Sequence, residues 1–240
     1  MASSSFSFPV EIQCKGVLFD SDGILISSIA SVDRCWTRYC RLRGLEPERA
    51  LQIVHGCRAV DTLLRVRPEL ADEEEIAREL KILEDFEVAD NEDLRVLPGV
   101  LELLRALPRE RWTVVTSATD RLVRVRLAVG GIPVPERMVT GDDVERGKPH
   151  PDPYLAGAAL LGVPPEECVV LEDAAAGVRA GRAAGCTVVA TTFSHELEQL
   201  GEAHYRVEDL SGVTVQVLEG GAGMKLRFMA LSPASHSGAS

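Results

Sequence analysis

Val17-Leu18-Phe19-Asp20-Ser21-Asp22-Gly23 is the stretch on which the fold turns. Three apolar residues make a strand candidate, and the run stops on an acid. Asp20 and Asp22 are two apart, so in extended chain their side chains point the same way. Gly23 permits a tight turn that brings backbone close to a ligand. Two carboxylates on one side repel each other unless one is protonated or a cation bridges them. Taken alone, Asp-Ser-Asp-Gly reads equally well as a plain turn.

The pattern downstream weighs against the plain turn. Further strand candidates run from Trp112 to Thr116, ended by Ser117; from Arg137 to Thr140; from Cys168 to Leu171, followed by Glu172-Asp173; and from Thr187 to Thr191. Helical patterns at Val100 to Leu107, Asp120 to Val129, Pro151 to Leu161 and Ala174 to Ala184 separate them. Buried strands alternating with helices predict an α/β protein with a Rossmann-like parallel sheet. No internal repeat is visible.

One segment departs from this rhythm. From about Ser27 to Val96 the pattern is helical with no convincing strand. Ser31 to Arg43 and Glu73 to Val88 have helical periodicity, and the dense acidic face of the second reads as solvated. Trp36 and Tyr39 sit at helical spacing with apolar residues and read as the core of this insertion. Pro98-Gly99 marks the return to the sheet. The expected organisation is a discontinuous core of residues 1–26 and 97–218, an inserted helical domain of residues 27–96, and a tail of residues 219–240. The tail is rich in Gly, Ser and Ala and is expected to be partly disordered, although Met224 to Leu231 could add a strand.

Composition narrows the function. The 240 residues carry a formal net charge of −11, which argues against non-specific binding to nucleic acid. It does not argue against a phosphorylated substrate, because a bound divalent cation supplies local positive charge. No apolar run reaches membrane-spanning length, and Met1 to Pro9 lacks the pattern of a signal peptide. The six cysteines form no C-x-x-C pair, so buried free thiols in a reducing, cytoplasmic compartment are expected.

The candidate chemistry collects at one place. In an open α/β sheet, ligands bind beyond the carboxyl ends of the strands. Asp20, Ser117 and Glu172-Asp173 each follow a strand run, and Lys148 lies in the loop after another. Asp20 and Asp22 with Glu172 and Asp173 make an all-oxygen set suited to Mg²⁺. Gly147-Lys148-Pro149-His150-Pro151 is a stiff loop, its prolines favouring extended geometry around His150. It could hold the lysine ammonium beside a carboxylate and a phosphate. His150 itself reads as structural or supporting. Ser117 reads as a helix N-cap, or as a hydroxyl donor to a phosphoryl oxygen together with nearby backbone amides such as that of Ala118.

Asp20-Ser21-Asp22-Gly23, Thr116-Ser117, Gly147-Lys148-Pro149 and Glu172-Asp173 resemble, in order, the four motifs of the haloacid dehalogenase superfamily. The helical insertion resembles its class I cap, and the likeness extends from about Lys15 to Glu208. His55-Gly56-Cys57-Arg58, Gly147 to Leu155 and Leu171 to Ala174 are similar to sugar- and polyol-phosphate phosphatases of the glycerol-phosphate and 2-deoxyglucose-6-phosphate type. The resemblance implies a Mg²⁺-dependent phosphatase in which Asp20 attacks phosphorus. Asp22 would protonate the leaving alkoxide and then activate water. Mg²⁺ would be held by Asp20, the Asp22 carbonyl and Asp173, with Glu172 reaching it directly or through water. Ser117, the Ala118 amide and Lys148 would hold phosphoryl oxygens. Asp143 lies near Lys148 in the sequence and could orient it.

His55 and Arg58 fall in the stretch resembling the cap's specificity loop, where Arg58 could bond sugar hydroxyls or a second acidic group; it reads equally as a surface arginine. A monomer acting on a small phosphorylated metabolite is expected. The alternatives are a phosphomutase of the β-phosphoglucomutase type and a phosphoglycolate-type phosphatase. The mutases carry a histidine in the first cap helix, where this chain has Val32. A dehalogenase would lack Asp22. A phosphonate hydrolase would need a cap lysine, and only Lys81 is available. A binding module is the non-enzyme alternative, and it would be expected to have lost Asp20, Asp22 or Lys148.

Overall fold

A parallel sheet with both faces covered forms the centre of the molecule. The structure, a computed structural model, describes residues 7–232. Strand β1 (Ser7–Cys14) leads into β2 (Gly16–Phe19), all of whose residues are buried. A short β3 (Ile26–Ser27) precedes four helices: α1 (Ile29–Leu42), α2 (Pro47–Leu51), α3 (Ala59–Val66) and α4 (Glu73–Ala89). Then come β4 (Arg95–Val96), α5 (Val100–Ala106), β5 (Trp112–Val114), α6 (Asp120–Val129) and α7 (Asp152–Leu161). The chain continues through β6 (Cys168–Glu172), α8 (Ala175–Ala183), β7 (Thr187–Thr191), β8 (Tyr205–Val207), β9 (Thr214–Val217) and β10 (Met224–Leu231).

The central sheet has the order β5-β2-β6-β7-β8, and every pairing in it is parallel. Alternation along β2 explains why it needs two covers. Val17 and Phe19 enter one apolar cluster with Leu103 of α5 and Leu127 of α6. Leu18 enters the other, with Tyr154 of α7 and Val178 of α8. Side chains alternate across a strand, so a strand apolar at every position must be buried on both faces.

Two expectations change here. Arg137 to Thr140 forms no strand: Val139 makes a single bridge to Val115. Pro133 and Pro135 precede it, and proline cannot donate to a ladder. The insertion is bracketed by strand after all, since β3 pairs antiparallel with β4 where the chain leaves and re-enters the sheet region. Two residues are too few for a period to show. The strand considered in the tail is present: Met224–Leu231 pairs with β1 on one side and β9 on the other. The expected disorder beyond it falls on residues 233–240, outside the described residues.

Helices α1 to α4 enclose a cluster of their own, in which Trp36, Tyr39, Leu63 and Leu83 are buried. Helix α4 begins at Asp72, whose carboxylate accepts from the Glu75 amide at 2.8 Å, and Glu73, Glu74 and Glu75 favour the positive end of the helix dipole. The acidic face of α4 is not wholly solvated. Glu79 and Glu87 are each 7% exposed, because they lie on the same side as Leu83, four residues from it in either direction.

Glu79 accepts from Tyr39 Oη at 2.7 Å and Arg43 Nε at 2.8 Å. Burial pushes its carboxyl up, but these hydrogen bonds outweigh burial and hold it below the usual range. Its stabilising contribution is therefore present above the unfolded pKa and lost as pH falls through the folded one. Glu79→Ala strands the Tyr39 hydroxyl and the arginine, so it should destabilise the protein by about 3 kcal/mol. Urea unfolding checks this. An unchanged midpoint would mean the network contributes nothing.

Candidate active site

Asp20 directly follows β2, and Glu172 and Asp173 stand at the end of β6, the strand paired beside it. Lys148 arrives from the loop before α7. Its Nζ donates to Asp20 Oδ1 at 2.6 Å, Glu172 Oε1 at 2.8 Å and the Val115 carbonyl at 3.1 Å. These three acceptors use all its protons. Asp143 is therefore not what orients Lys148; it accepts from the Thr140 amide and hydroxyl instead. Burial alone would lower the lysine pKa, but Asp20 and Glu172 reverse this and keep it charged.

Glu172 is the most constrained carboxylate. Oε1 also accepts from Tyr154 Oη at 2.8 Å, and Oε2 accepts from the amides of Asp173 and Ala174 at 2.8 and 2.9 Å. A Cβ on Gly177 would sit 1.5 Å from Oε1, so α8 can pass here only as glycine. Burial raises Asp20 to about 7 and raises Asp173 well above the ordinary range, with neighbouring carboxylates adding to both. His150 is exposed, and Pro151 takes helical angles as the N-cap of α7 rather than extending the loop.

Asp20 and Asp22 line one cavity, of about 150 Å³, between the sheet edge and the helical insertion. They engage different cations. Asp22 Oδ1 accepts from Ser28 Oγ at 2.6 Å, and both its oxygens accept from Arg126 NH1, at 2.9 and 2.8 Å. Ser117 lines the cavity and donates to the Gly56 carbonyl at 3.1 Å. It is not the N-cap of α6; Thr119 is, accepting from the Leu122 amide at 3.3 Å. The Ala118 amide donates to Thr116 Oγ1 at 3.1 Å.

His55 and Arg58 reach the cavity from the insertion. His55 Nε2 lies 3.1 Å from Asp33 Oδ1. The Arg58 guanidinium is mostly buried and largely engaged by protein groups. It donates to Asp61 through Nε at 2.8 Å and NH2 at 2.9 Å, and to the Val144 carbonyl at 2.8 Å, fastening the loop to the sheet side.

Comparison with known proteins agrees with this geometry. The haloacid dehalogenase-like hydrolase pattern matches residues 14–185. The chain belongs to the haloacid dehalogenase-like hydrolases. Hexitol phosphatase A of Escherichia coli (strain K12) is 43% identical over 206 residues, covering 85% of this chain and 95% of that protein. Glycerol-1-phosphate phosphohydrolase 2 of Saccharomyces cerevisiae (strain ATCC 204508 / S288c) is 34% identical over 205 residues, covering 81% of each. The crystal structure of a hydrolase from Pseudomonas syringae has a TM-score of 0.74 at 25% identity, covering 82% of this chain and 94% of that one.

Members of this hydrolase family generally use Mg²⁺, and the donor set here fits such an ion. Asp20, Glu172 and Asp173 offer carboxylate oxygens within 4.8 Å of one another, all buried. One lysine against three buried carboxylates leaves excess negative charge that a hard cation would balance. Gly23 keeps the cradle open, because a Cβ there would lie 1.8 Å from Asp173 Oδ2. Glu172, with both oxygens already accepting, is the least available of the three.

The sequence reading missed Arg126, Glu87, Tyr154 and Ser28. The first two left a signal. Arg126 falls on the apolar stripe of α6 with Leu122, Val123 and Leu127, and Glu87 on that of α4 with Leu80 and Leu83. A charge on a buried stripe demands a partner, and each here is the other's.

Proposed function

We propose that this hydrolase removes phosphate from small sugar or polyol phosphates through an aspartyl-phosphate intermediate on Asp20. One observation carries the reading: a buried carboxylate, held by a buried lysine, faces a cavity that also holds a second aspartate on a separate cation.

An Asp20 oxygen attacks phosphorus, and the bond to the substrate oxygen breaks as Asp22 gives that oxygen a proton. Water then loses a proton to Asp22 and attacks phosphorus. The bond to Asp20 breaks and inorganic phosphate leaves, so one residue serves as acid and then as base. Lys148, Ser117 and the Ala118 amide hold the phosphoryl oxygens, each exchanging a present partner to do so: the Val115 carbonyl for Lys148, the Gly56 carbonyl for Ser117 and the Thr116 hydroxyl for the Ala118 amide. A Mg²⁺ ion held by Asp20, Asp173 and the Asp22 carbonyl, when bound, supplies positive charge beside the phosphoryl group. Glu172 acts behind Lys148, fixing the ammonium, and would reach the ion directly or through water. The Asp20 and Asp22 pair, both retained in a cavity, also weighs against a binding module.

We read residues 27–96 as a cap over a core of residues 1–26 and 97–218. The cap excludes water and sets specificity. Its face on the cavity is apolar at Val32, Trp36, Val54 and Leu80, with His55 at the edge. Arg58 and Arg126 are both committed to carboxylates, and Glu84 and Glu87 also line the cavity. This favours a substrate with neutral hydroxyls over one with a second acid, such as phosphoglycolate. Val32, not histidine, on the cavity side of α1 favours hydrolysis over mutase-type transfer. Lys81 is exposed and paired with Asp85, which weighs against the Schiff-base alternative.

The protein is further proposed to act as a cytoplasmic monomer. Its cysteines are all free, in keeping with a reducing compartment. No helix of the described residues is long and apolar enough to cross a membrane.

Phosphate release from a panel of phosphomonoesters, with Mg²⁺ and with EDTA, tests the reading. Metal-dependent release should be fastest from glycerol, hexitol or deoxyhexose phosphates. Equal or greater efficiency on phosphoglycolate or nucleotides would sink the substrate class, and phosphate transfer without net release would favour a mutase.

A further inference from the structure

Arg126 is 2% exposed and belongs to a helix stripe that is otherwise apolar. Its NH1 spans both oxygens of Asp22, while NH2 reaches Glu87 Oε1 on α4 at 3.3 Å. Its Nε is buried without a partner. One guanidinium therefore joins the loop after β2 to the helical insertion, and Asp22, Arg126 and Glu87 all line the same cavity. Stability alone does not require this arrangement. A buried ion triad is often no more stabilising than apolar side chains of the same volume, and leucine would complete the α6 stripe. What the rigid guanidinium provides is geometry. Asp22 sits on a loop, and Arg126 and Ser28 together fix where its carboxylate points.

We propose that Arg126 is the positioning residue of Asp22, and that Glu87 makes this positioning depend on the seating of α4. Arg126 does not touch the reacting phosphorus; it holds the group that moves the proton. With α4 seated, Glu87 anchors the guanidinium from the insertion side and the Asp22 carboxylate faces the substrate oxygen. With α4 displaced, the anchor is lost and Asp22 loses its fixed direction. Proton transfer is thereby coupled to closure over the substrate. Proton transfer needs heavy atoms within hydrogen-bond reach, so a carboxylate free to rotate loses most of its effect. The inference rests on the proposed role of Asp22 as proton donor and acceptor.

The test uses leaving groups. An alkoxide must be protonated as it departs, whereas p-nitrophenolate leaves without a proton. The parameter kcat/KM reports the steps through cleavage of the substrate P–O bond. Arg126→Lys should lower kcat/KM for glycerol phosphate by about 10²-fold, the lower end of what general acid catalysis contributes. It should leave kcat/KM for p-nitrophenyl phosphate near the wild-type value. Glu87→Gln should shift the same ratio in the same direction by a smaller factor. Arg126→Lys combined with Asp22→Asn should lose little more than Asp22→Asn alone, as expected for residues acting as a unit.

Because a buried charge left alone destabilises the fold, the paired variant Arg126→Met/Glu87→Gln also removes the Glu87 charge; it should melt higher than Arg126→Met, since the remaining Asp22 is partly exposed and keeps its bond from Ser28, and should show the same selective loss. An equal fall on both esters, or a rise in KM alone, would overturn the proposal by making Arg126 structural or substrate-binding. A wild-type protein that releases phosphate from neither ester would overturn the phosphatase reading itself, and with it the proposal.

Discussion

Asp20→Asn should lower kcat on every phosphomonoester by on the order of 10⁵-fold or more while leaving the protein folded. The amide has the same shape but cannot attack phosphorus, and removing a covalent nucleophile is among the largest single losses an enzyme can suffer. Folding should survive because the charge is poorly accommodated. Burial raises the Asp20 carboxyl from 3.8 to about 7. A carboxyl whose folded pKa is raised keeps its proton in the native state after the unfolded chain has released it. The metal-free protein therefore loses stability as pH rises between about 4 and about 7. The asparagine variant should show less of that slope and should melt no lower than wild type at pH 8 without metal. Residual turnover above a hundredth of wild type would remove Asp20 as nucleophile.

Lys148→Met should be damaging in both respects. It deletes the cation that Asp20 and Glu172 share, and neither its own side chain nor that of Glu172 has any solvent exposure. Stranding buried carboxylates costs about 3–5 kcal/mol, roughly a 10 °C drop in melting temperature for a protein of this size. Activity should fall with it, because the phosphoryl oxygens lose a positive partner. Mg²⁺ should recover part of the melting temperature by mass action, as a ligand that binds only the folded state must. Adding Glu172→Gln should recover stability without recovering activity. A Lys148→Met protein that melts like wild type would mean the cluster is solvated or protonated, and the charge argument for the metal site would fail.

Much of this is legible in the chain. Strand runs ending in Asp20 and in Glu172-Asp173, with lysine in a proline-bound loop, put an acid cluster at the carboxyl edge of a parallel sheet by local pattern alone. The inner strands of that sheet, β2, β6 and β7, stand out because they are short, mostly apolar and separated by periodic helices. The peripheral strands are harder to see. Strands β8 and β9 are short and partly solvated, and β3 and β4 have two residues each. Their pairing depends on distant partners, which no local window contains.

The site divides in the same way. Local sequence determined which candidate residues gather at the strand ends, because strand ends, turns and stiff loops are set by neighbours along the chain. It could not determine which cation meets which carboxylate. Lys148 takes Asp20 and Glu172 because the loop before α7 crosses the paired ends of β2 and β6, while Arg126 takes Asp22 and Glu87 because α6 packs beside α4. The acidic run on α4 reads as a solvated face because composition sees charge and not direction. Helical pitch turned Glu79 and Glu87 inward, and only the packed fold supplied the arginines that make burial tolerable. Coulomb partners across long sequence separations are a property of tertiary structure, and here they decide where each carboxylate points.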